Sequence, residues 1–213
     1  MENLRKYHKN ECVSFLKTNE EFGGFSNMAS GYPIKIPTSS YSTFYTSEAL
    51  YQAARFPDQP LLQKFIAKEV NPITAKRSIK EHITNTRSDW FDVRIPIMRW
   101  CLRAKLICNW NKFSRLLLRT QNLPIVEISY RDQYWGAKPD GDYLLGQNLL
   151  GRLLMEIKKD LIENNYVLEE LSPLDIQNFK FFDSIPPTLI LKDMSRMKDL
   201  ELDKPPRPPR SIY

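Results

Sequence analysis

The chain has 213 residues, is 42% hydrophobic and carries a formal charge of +6. That length makes one domain, or one domain with an extension, with enough chain to bury a core without covalent staples. The positive balance suits a polyanionic partner, but Lys and Arg are scattered without any block of like charge.

The N-terminal MENLRKYHKNE is too polar for a signal peptide, and no apolar run approaches the ~18 residues of a membrane span. Cys12 to Lys17 alternates as a short strand, followed by a glycine turn with aromatic flanks at Phe22-Gly23-Gly24-Phe25. Tyr32 to Ile36 is a second strand, kept short by Pro33 and Pro37. Thr38 to Thr43 reads as a loop. A helix opens with Ser47 as N-cap and Glu48 in the first turn, and runs to about Arg55, before Pro57. Pro60 to Val70 is another helix, and Ile73 to Ile79 a short one. The longest helix covers about Val93 to Asn109, with an apolar stripe of Ile95, Met98, Leu102 and Leu106. Asn111 to Thr120 is helical, Ile125 to Ile128 a strand and Asn148 to Asn164 a helix. Past Tyr166 the periodicity fades. Phe179 to Phe182 is an aromatic segment expected to pack on the body, and the end, DKPPRPPRSIY, is a polyproline-type tail.

The two histidines, His8 and His82, have no partner at ligand spacing, and no Cys-x-x-Cys pair exists. A protein-ligated zinc and a histidine triad are therefore disfavoured, and no metal or cofactor is expected. The odd set Cys12, Cys101 and Cys108 reads as reduced thiols in a cytoplasmic protein.

The chemistry-bearing residues are few. Between Asp132 and Met155 an acid and a tryptophan, Asp132 and Trp135, precede Gly136, Gly141, Gly146 and a helix opening near Asn148. Acid, flat ring and pliant backbone before a helix N-terminus describe a pocket for a sugar or a base; a turn whose Trp plugs the core fits equally well. Glu48 stands at a helix N-terminus, whose partial positive charge favours a carboxylate there, and can stabilise an oxocarbenium-like transition state or orient a water, or simply support the cap. Lys76 has the chemistry to attack an aldehyde or anomeric carbon if desolvated, though most lysines are merely solvated. Glu127 and Asp132 offer an acid/base pair or ordinary salt bridges. Lys105, on the apolar side of its helix, snorkels or reaches an anion. Arg94, Arg99 and Arg103 form a charged face from which one could clamp a phosphate. The glycine loop matches no Walker or dinucleotide fingerprint.

Taken in order, these pieces resemble one family. Phe25-Ser26-Asn27-Met28-Ala29, Thr46-Ser47-Glu48-Ala49-Leu50-Tyr51-Gln52-Ala53-Ala54-Arg55-Phe56, the Pro72-to-Lys76 element, and Trp90, Arg94 and Met98 come first. Val126-Glu127, Asp132, Trp135-Gly136 and Asn148-to-Met155 complete the set. Each motif alone is loose; the ordered set, from about Val13 to Leu161, resembles the NADAR (YbiA-like) superfamily.

The resemblance implies an α+β, mostly helical single-domain fold over 1–165, with 166–213 as a C-terminal extension. It also implies N-glycosidase activity. One branch of the family cleaves phosphorylated riboflavin-biosynthesis intermediates. The other removes ADP-ribose from guanine in nucleic acid and acts as antitoxin to a DarT-type ADP-ribosyltransferase. The wording SGYPIKI, TSEALYQAARFP and MRWCLRAKL is similar to the second branch. A non-catalytic ADP-ribose or NAD-binding module is a third reading, disfavoured by the intact Glu48, Lys76 and Asp132.

Carried over by position, the resemblance makes Glu48, Lys76 and Asp132 catalytic. Lys76 attacks the anomeric carbon, and one of the two carboxylates handles protons. Trp135 walls the sugar or stacks on a base. Asn27, Arg94, Glu127, Gly136 and Asn148 line the substrate. Two departures from the family pattern stand out. Leu118-Arg119-Thr120-Gln121 replaces a Thr-Gly-Asp turn, and Lys158 stands where Arg is common.

Overall fold

The computed structural model describes residues 4–38, 42–70, 72–163 and 170–191, without the side chains of residues 42, 72, 73, 75, 76 and 78. The architecture is α+β and mostly helical, as expected. The expected boundary near residue 165 and the proline-rich tail lie outside the described residues.

Helix α4 (Trp90–Cys108) is the hub. It packs against helices α1 (Ser47–Ala53), α5 (Trp110–Leu118) and α6 (Leu149–Glu163). Ile97, Met98, Trp100, Cys101, Leu102, Ala104, Leu106 and Ile107 all bury on it, so its apolar surface is far wider than the stripe the sequence marks. Helices α2 (Pro60–Lys68) and α3 (Pro72–Glu81) also pack on α1.

Short strands fill the gaps. β2 (Val13–Phe15) runs parallel to β5 (Ile125–Glu127), with Val13 opposite Ile125. β3 (Ile34–Ile36) pairs antiparallel with β4 (Ser42–Phe44). Ser42 and Thr43 thus leave the expected loop for a strand, because Lys35 and Ile36 supply their partners and Phe44 is fully buried. A three-stranded antiparallel sheet, unanticipated from the sequence, joins β1 (Arg5–His8), β7 (Tyr143–Gly146) and β6 (Lys138–Asp140) in the order β1-β7-β6. The β6–β7 hairpin turns at Gly141, whose φ of +55° favours glycine.

Residues 170–191 return to the body through β8 (Glu170–Leu171), antiparallel to β9 (Leu189–Ile190). The aromatic segment packs as expected. Phe179 and Phe181 lie 5.0 and 6.0 Å from the Trp100 ring. Phe182 stacks on Phe44 at 5.7 Å. The polar groups nearest Trp100 and Phe182 are bonded. Trp100 Nε1 donates to Ser172 O (2.9 Å), and Gln63 both donates to Lys180 O and accepts from Phe182 N.

Two buried lysines tie loops to helices. Lys158 Nζ donates to Thr120 Oγ1, Gln121 O and Leu123 O, and Gln121 takes φ +49°. The departure from the Thr-Gly-Asp pattern is thus a left-handed turn stapled from α6. Lys105 is fully buried and donates to Gly24 O (2.6 Å) and Ser26 O (3.1 Å), with its Nζ over the Tyr32 and Phe113 rings. It neither snorkels nor reaches an anion, because main-chain carbonyls take its protons. Burial, with Lys112 adding to it, lowers its pKa to about 7.

Candidate active site

The carbonyls held by Lys105 lead directly into the backbone that seats helix α1. Asn27 O accepts the Glu48 N–H (3.0 Å) and the Ser47 hydroxyl (3.5 Å), so the clamped 24–27 segment fixes the first turn of that helix. The N-cap is Thr46, not Ser47: Thr46 Oγ1 accepts from Ala49 N (3.1 Å), while Ser47 is already helical and fully buried.

From that turn the side chains of α1 project in a fixed order. Glu48 is half-buried, and one helical turn on, Gln52 Nε2 donates to its Oε1 (2.9 Å). Tyr51 is buried at 4.9 Å from the Trp90 ring and 5.8 Å from the Trp135 ring. Burial first, and the Glu48 carboxylate second, push the Tyr51 hydroxyl far above its usual pKa, so it stays protonated. The same two causes raise the Cys101 thiol. The Arg55 guanidinium lies over the Trp90 ring at 5.0 Å, and desolvation lowers its pKa.

The second wall is the loop that carries Trp135. Asp132 Oδ1 accepts the N–H groups of Tyr134 (2.9 Å) and Trp135 (3.0 Å), a side-chain turn that fixes the loop. The carbonyls of Tyr134, Trp135 and Gly136 then accept from Leu149, Leu150 and Asn148, so these main-chain N–H groups at the start of α6 are taken by protein. The loop is thereby held at both ends, and Trp135 half-emerges beside Tyr51. Arg94 closes this side, its Cζ 4.1 Å from the Tyr134 ring centroid.

The expected site residues separate into two groups. Asn27, Glu48, Arg94 and Trp135 surround one rim, joined through Tyr51, Met98 and Tyr134. Asn27 Nδ2 donates to Met98 Sδ (3.1 Å), while Asn27 Oδ1, Gln52 Oε1 and Arg94 Nε are buried without a hydrogen-bond partner in the protein. Unbonded buried polar atoms are costly, and three among these residues suit a polar substrate. Two residues expected to line the substrate serve the backbone instead. Asn148 is fully buried, accepts from Glu127 N (3.1 Å) and donates to Ile125 O (2.9 Å), with φ +51°. Its amide is spent joining β5 to α6. A Cβ on Gly136 would meet Glu127 O at 2.8 Å, so this glycine allows loop and strand to approach. Asp132 is exposed and sets the loop; Glu127, half-buried at the end of β5, stands behind it.

Lys76 lies on α3, which packs on α1, three residues before the buried Ile79, roughly one turn. Its side chain is outside the described residues. Sequence reasoning passed over Gln52, Tyr51 and Tyr134. The spacing of Glu48 and Gln52, four apart on a helix, was the available signal for the first. A surface groove bounded by Asp58, Pro60, Leu61, Phe65 and His82 contains none of these residues. No group of three or more metal-ligating side chains occurs among the described residues. No described helix is long and apolar enough to cross a membrane.

The NADAR domain family model matches residues 14–162. The chain belongs to the NADAR domain family. It is 35% identical over 149 residues to the N-glycosidase YbiA of Escherichia coli, covering 70% of this chain and 88% of that one. It is 34% identical over 152 residues to a riboflavin biosynthesis protein of Vibrio vulnificus, covering 71% of this chain but 39% of that one. A riboflavin biosynthesis protein of Zea mays is 30% identical over 167 residues, 73% of this chain and 26% of that one. The NMR structure of Escherichia coli YbiA superposes with a TM-score of 0.61 at 33% identity, over 72% of this chain and 87% of that one. As a NADAR enzyme the chain is a hydrolase of N-glycosidic bonds. The family match ends at residue 162, before the segment that covers Trp100.

Proposed function

We propose that this NADAR enzyme removes ADP-ribose from guanine bases in DNA and acts as antitoxin to a DarT-type ADP-ribosyltransferase. The observation that carries the reading is the rim itself: the Glu48 carboxylate near Tyr51, whose ring meets those of Trp90 and Trp135, with Arg94 against the neighbouring Tyr134 ring. A ribose at Glu48 puts developing positive charge next to a carboxylate. Rings receive a base, and a guanidinium receives phosphate. The formal charge of +6 supports a nucleic-acid substrate.

In this reading the Lys76 amine attacks the anomeric carbon. The Glu48 carboxylate takes the proton whose loss frees the amine; the bond from that carbon to guanine breaks, and Glu48 returns the proton to the departing base. The ribose ring then opens, its C1–O4 bond breaking as a proton passes from the lysine nitrogen to O4, which leaves an iminium; water adds to it, ADP-ribose leaves, and the amine is restored. Glu48 is chosen over Asp132 for the proton because Asp132 Oδ1 already holds two loop N–H groups. Lys76→Ala is expected to abolish turnover, and borohydride to trap a substrate adduct on wild type but not on the variant. Near wild-type turnover without an adduct would sink the covalent route.

A second reading is favoured by the riboflavin biosynthesis relatives: hydrolysis of phosphorylated riboflavin-pathway intermediates. Incubation with an ADP-ribosylated guanine oligonucleotide and, in parallel, with the phosphorylated pyrimidine intermediates separates the two. Release of ADP-ribose is the expected result. Turnover of the pyrimidines alone would replace the first reading with the second, and binding of either without turnover would make the chain a module.

A further inference from the structure

Phe91, in the first turn of α4, takes no part in the proposed chemistry, yet it is 74% exposed. A lone exposed ring is ordinary. This one is not alone: the Arg94 guanidinium lies 5.1 Å from its centroid and 4.1 Å from that of Tyr134. Tyr134 meets Trp135 edge-on at 5.4 Å, and Trp135 meets Tyr51 at 5.8 Å, three residues along α1 from Glu48. A path therefore leads from Tyr51, beside the carboxylate, along Trp135 and Tyr134 to a cation held between Tyr134 and one further ring, the exposed Phe91. Arg99 and Arg103, further along the same helix, are tied to Glu156 and Asp160. Arg94 is held by rings instead, and its buried Nε–H has no acceptor in the protein.

We infer that Phe91, Arg94 and Tyr134 form a subsite for the adenosine diphosphate half of the substrate, the guanidinium on the diphosphate and the Phe91 ring under the adenine. The inference rests on the proposed ADP-ribosyl-guanine reading, which places the distal ribose at Glu48. The order of chemistry along the rim matches the order along ADP-ribose: ribose at the acid, phosphates at the cation, a flat base at the outermost exposed ring. A planar guanidinium suits phosphate oxygens, and an aromatic face stacks a base without needing hydrogen bonds to it. A substrate with a single phosphate and no adenine would leave Phe91 unused. The subsite therefore determines specificity rather than catalysis.

The test compares ADP-ribose with ribose 5-phosphate as calorimetric ligands of wild type, Phe91→Ala, Phe91→Trp and Arg94→Gln. Kinetics on an ADP-ribosylated guanine oligonucleotide accompany it. Phe91→Ala is expected to weaken ADP-ribose about tenfold, to leave ribose 5-phosphate unchanged, and to raise KM with kcat retained. Phe91→Trp is expected to bind ADP-ribose as wild type does, and Arg94→Gln to weaken both ligands. Wild-type ADP-ribose binding by Phe91→Ala, or an equal loss for both ligands, overturns the subsite, as does an effect confined to longer oligonucleotides. If wild type hydrolyses the oligonucleotide while Phe91→Ala is unaffected, only the subsite falls. If wild type neither binds ADP-ribose nor hydrolyses the oligonucleotide, yet turns over the pyrimidine intermediates, the substrate reading falls too.

Discussion

The rim around Glu48 and the seam around Trp100 handle buried polarity in opposite ways. In the seam, Gln63 uses both ends of its amide and the Trp100 indole N–H reaches Ser172 O. At the rim, Asn27 Oδ1, Gln52 Oε1 and Arg94 Nε are buried with no protein partner. Both regions belong to one core, and α4 runs through both. The seam holds the fold together, whereas the rim keeps hydrogen-bonding capacity for something the fold does not supply.

Substitutions can break or sharpen that contrast. The largest effect is expected at Glu48→Gln, which keeps the acceptor for Gln52 but removes the charge. Turnover should fall about 10²–10⁴-fold with little change in melting temperature, measured by steady-state kinetics and calorimetry. A large loss of stability instead would make Glu48 part of the scaffold. Phe181→Ala empties a fully buried site against Trp100 and Phe44 and should cost about 3–5 kcal/mol by denaturant unfolding, with kcat unchanged well below the melting temperature.

Lys105→Met should destabilise by about 2–3 kcal/mol, since Gly24 O and Ser26 O lose their donor. Its pH dependence has a definite sign. The folded pKa of about 7 lies below the ordinary lysine value of 10.5. Between those values the unfolded chain binds the extra proton, so wild-type stability should rise with pH from about 7 to about 10. Below that window both states are protonated, and the contribution is flat. The rise should be missing in Lys105→Met; a wild-type profile in the variant would assign it elsewhere. The smallest effect is expected at Asp132→Asn, which can still accept the Tyr134 and Trp135 N–H groups. Turnover should stay within about threefold of wild type, a fraction of a kcal/mol. A collapse comparable to Glu48→Gln would move the proton-handling role to Asp132.

The helices were largely legible in the sequence because their periodicity is local. The β1-β7-β6 sheet was not, because Arg5-Lys6-Tyr7-His8 and Lys138-Pro139-Asp140 are mostly polar and become strands only through pairing with Tyr143–Gly146. The N-cap was missed by one residue, since Thr46 and Ser47 are both good caps and tertiary packing buries Ser47. At the site, ordered motifs marked Asn27, Glu48, Arg94 and Trp135. They could not tell that Asn148 spends its amide on the backbone while Gln52 keeps an acceptor unbonded. That division depends on which neighbours arrive from elsewhere in the chain.

The late arrival of one such neighbour has a consequence for synthesis. The bond from Trp100 to Ser172 spans 72 residues. At ~5–20 residues per second, the ribosome adds the missing cover roughly 4–14 s after Trp100 has been made. During that interval one side of the hub helix stays open to water, and with it Trp100. Chaperone capture or aggregation of the nascent chain should therefore be most acute in transcripts that end before the Phe179–Phe182 segment.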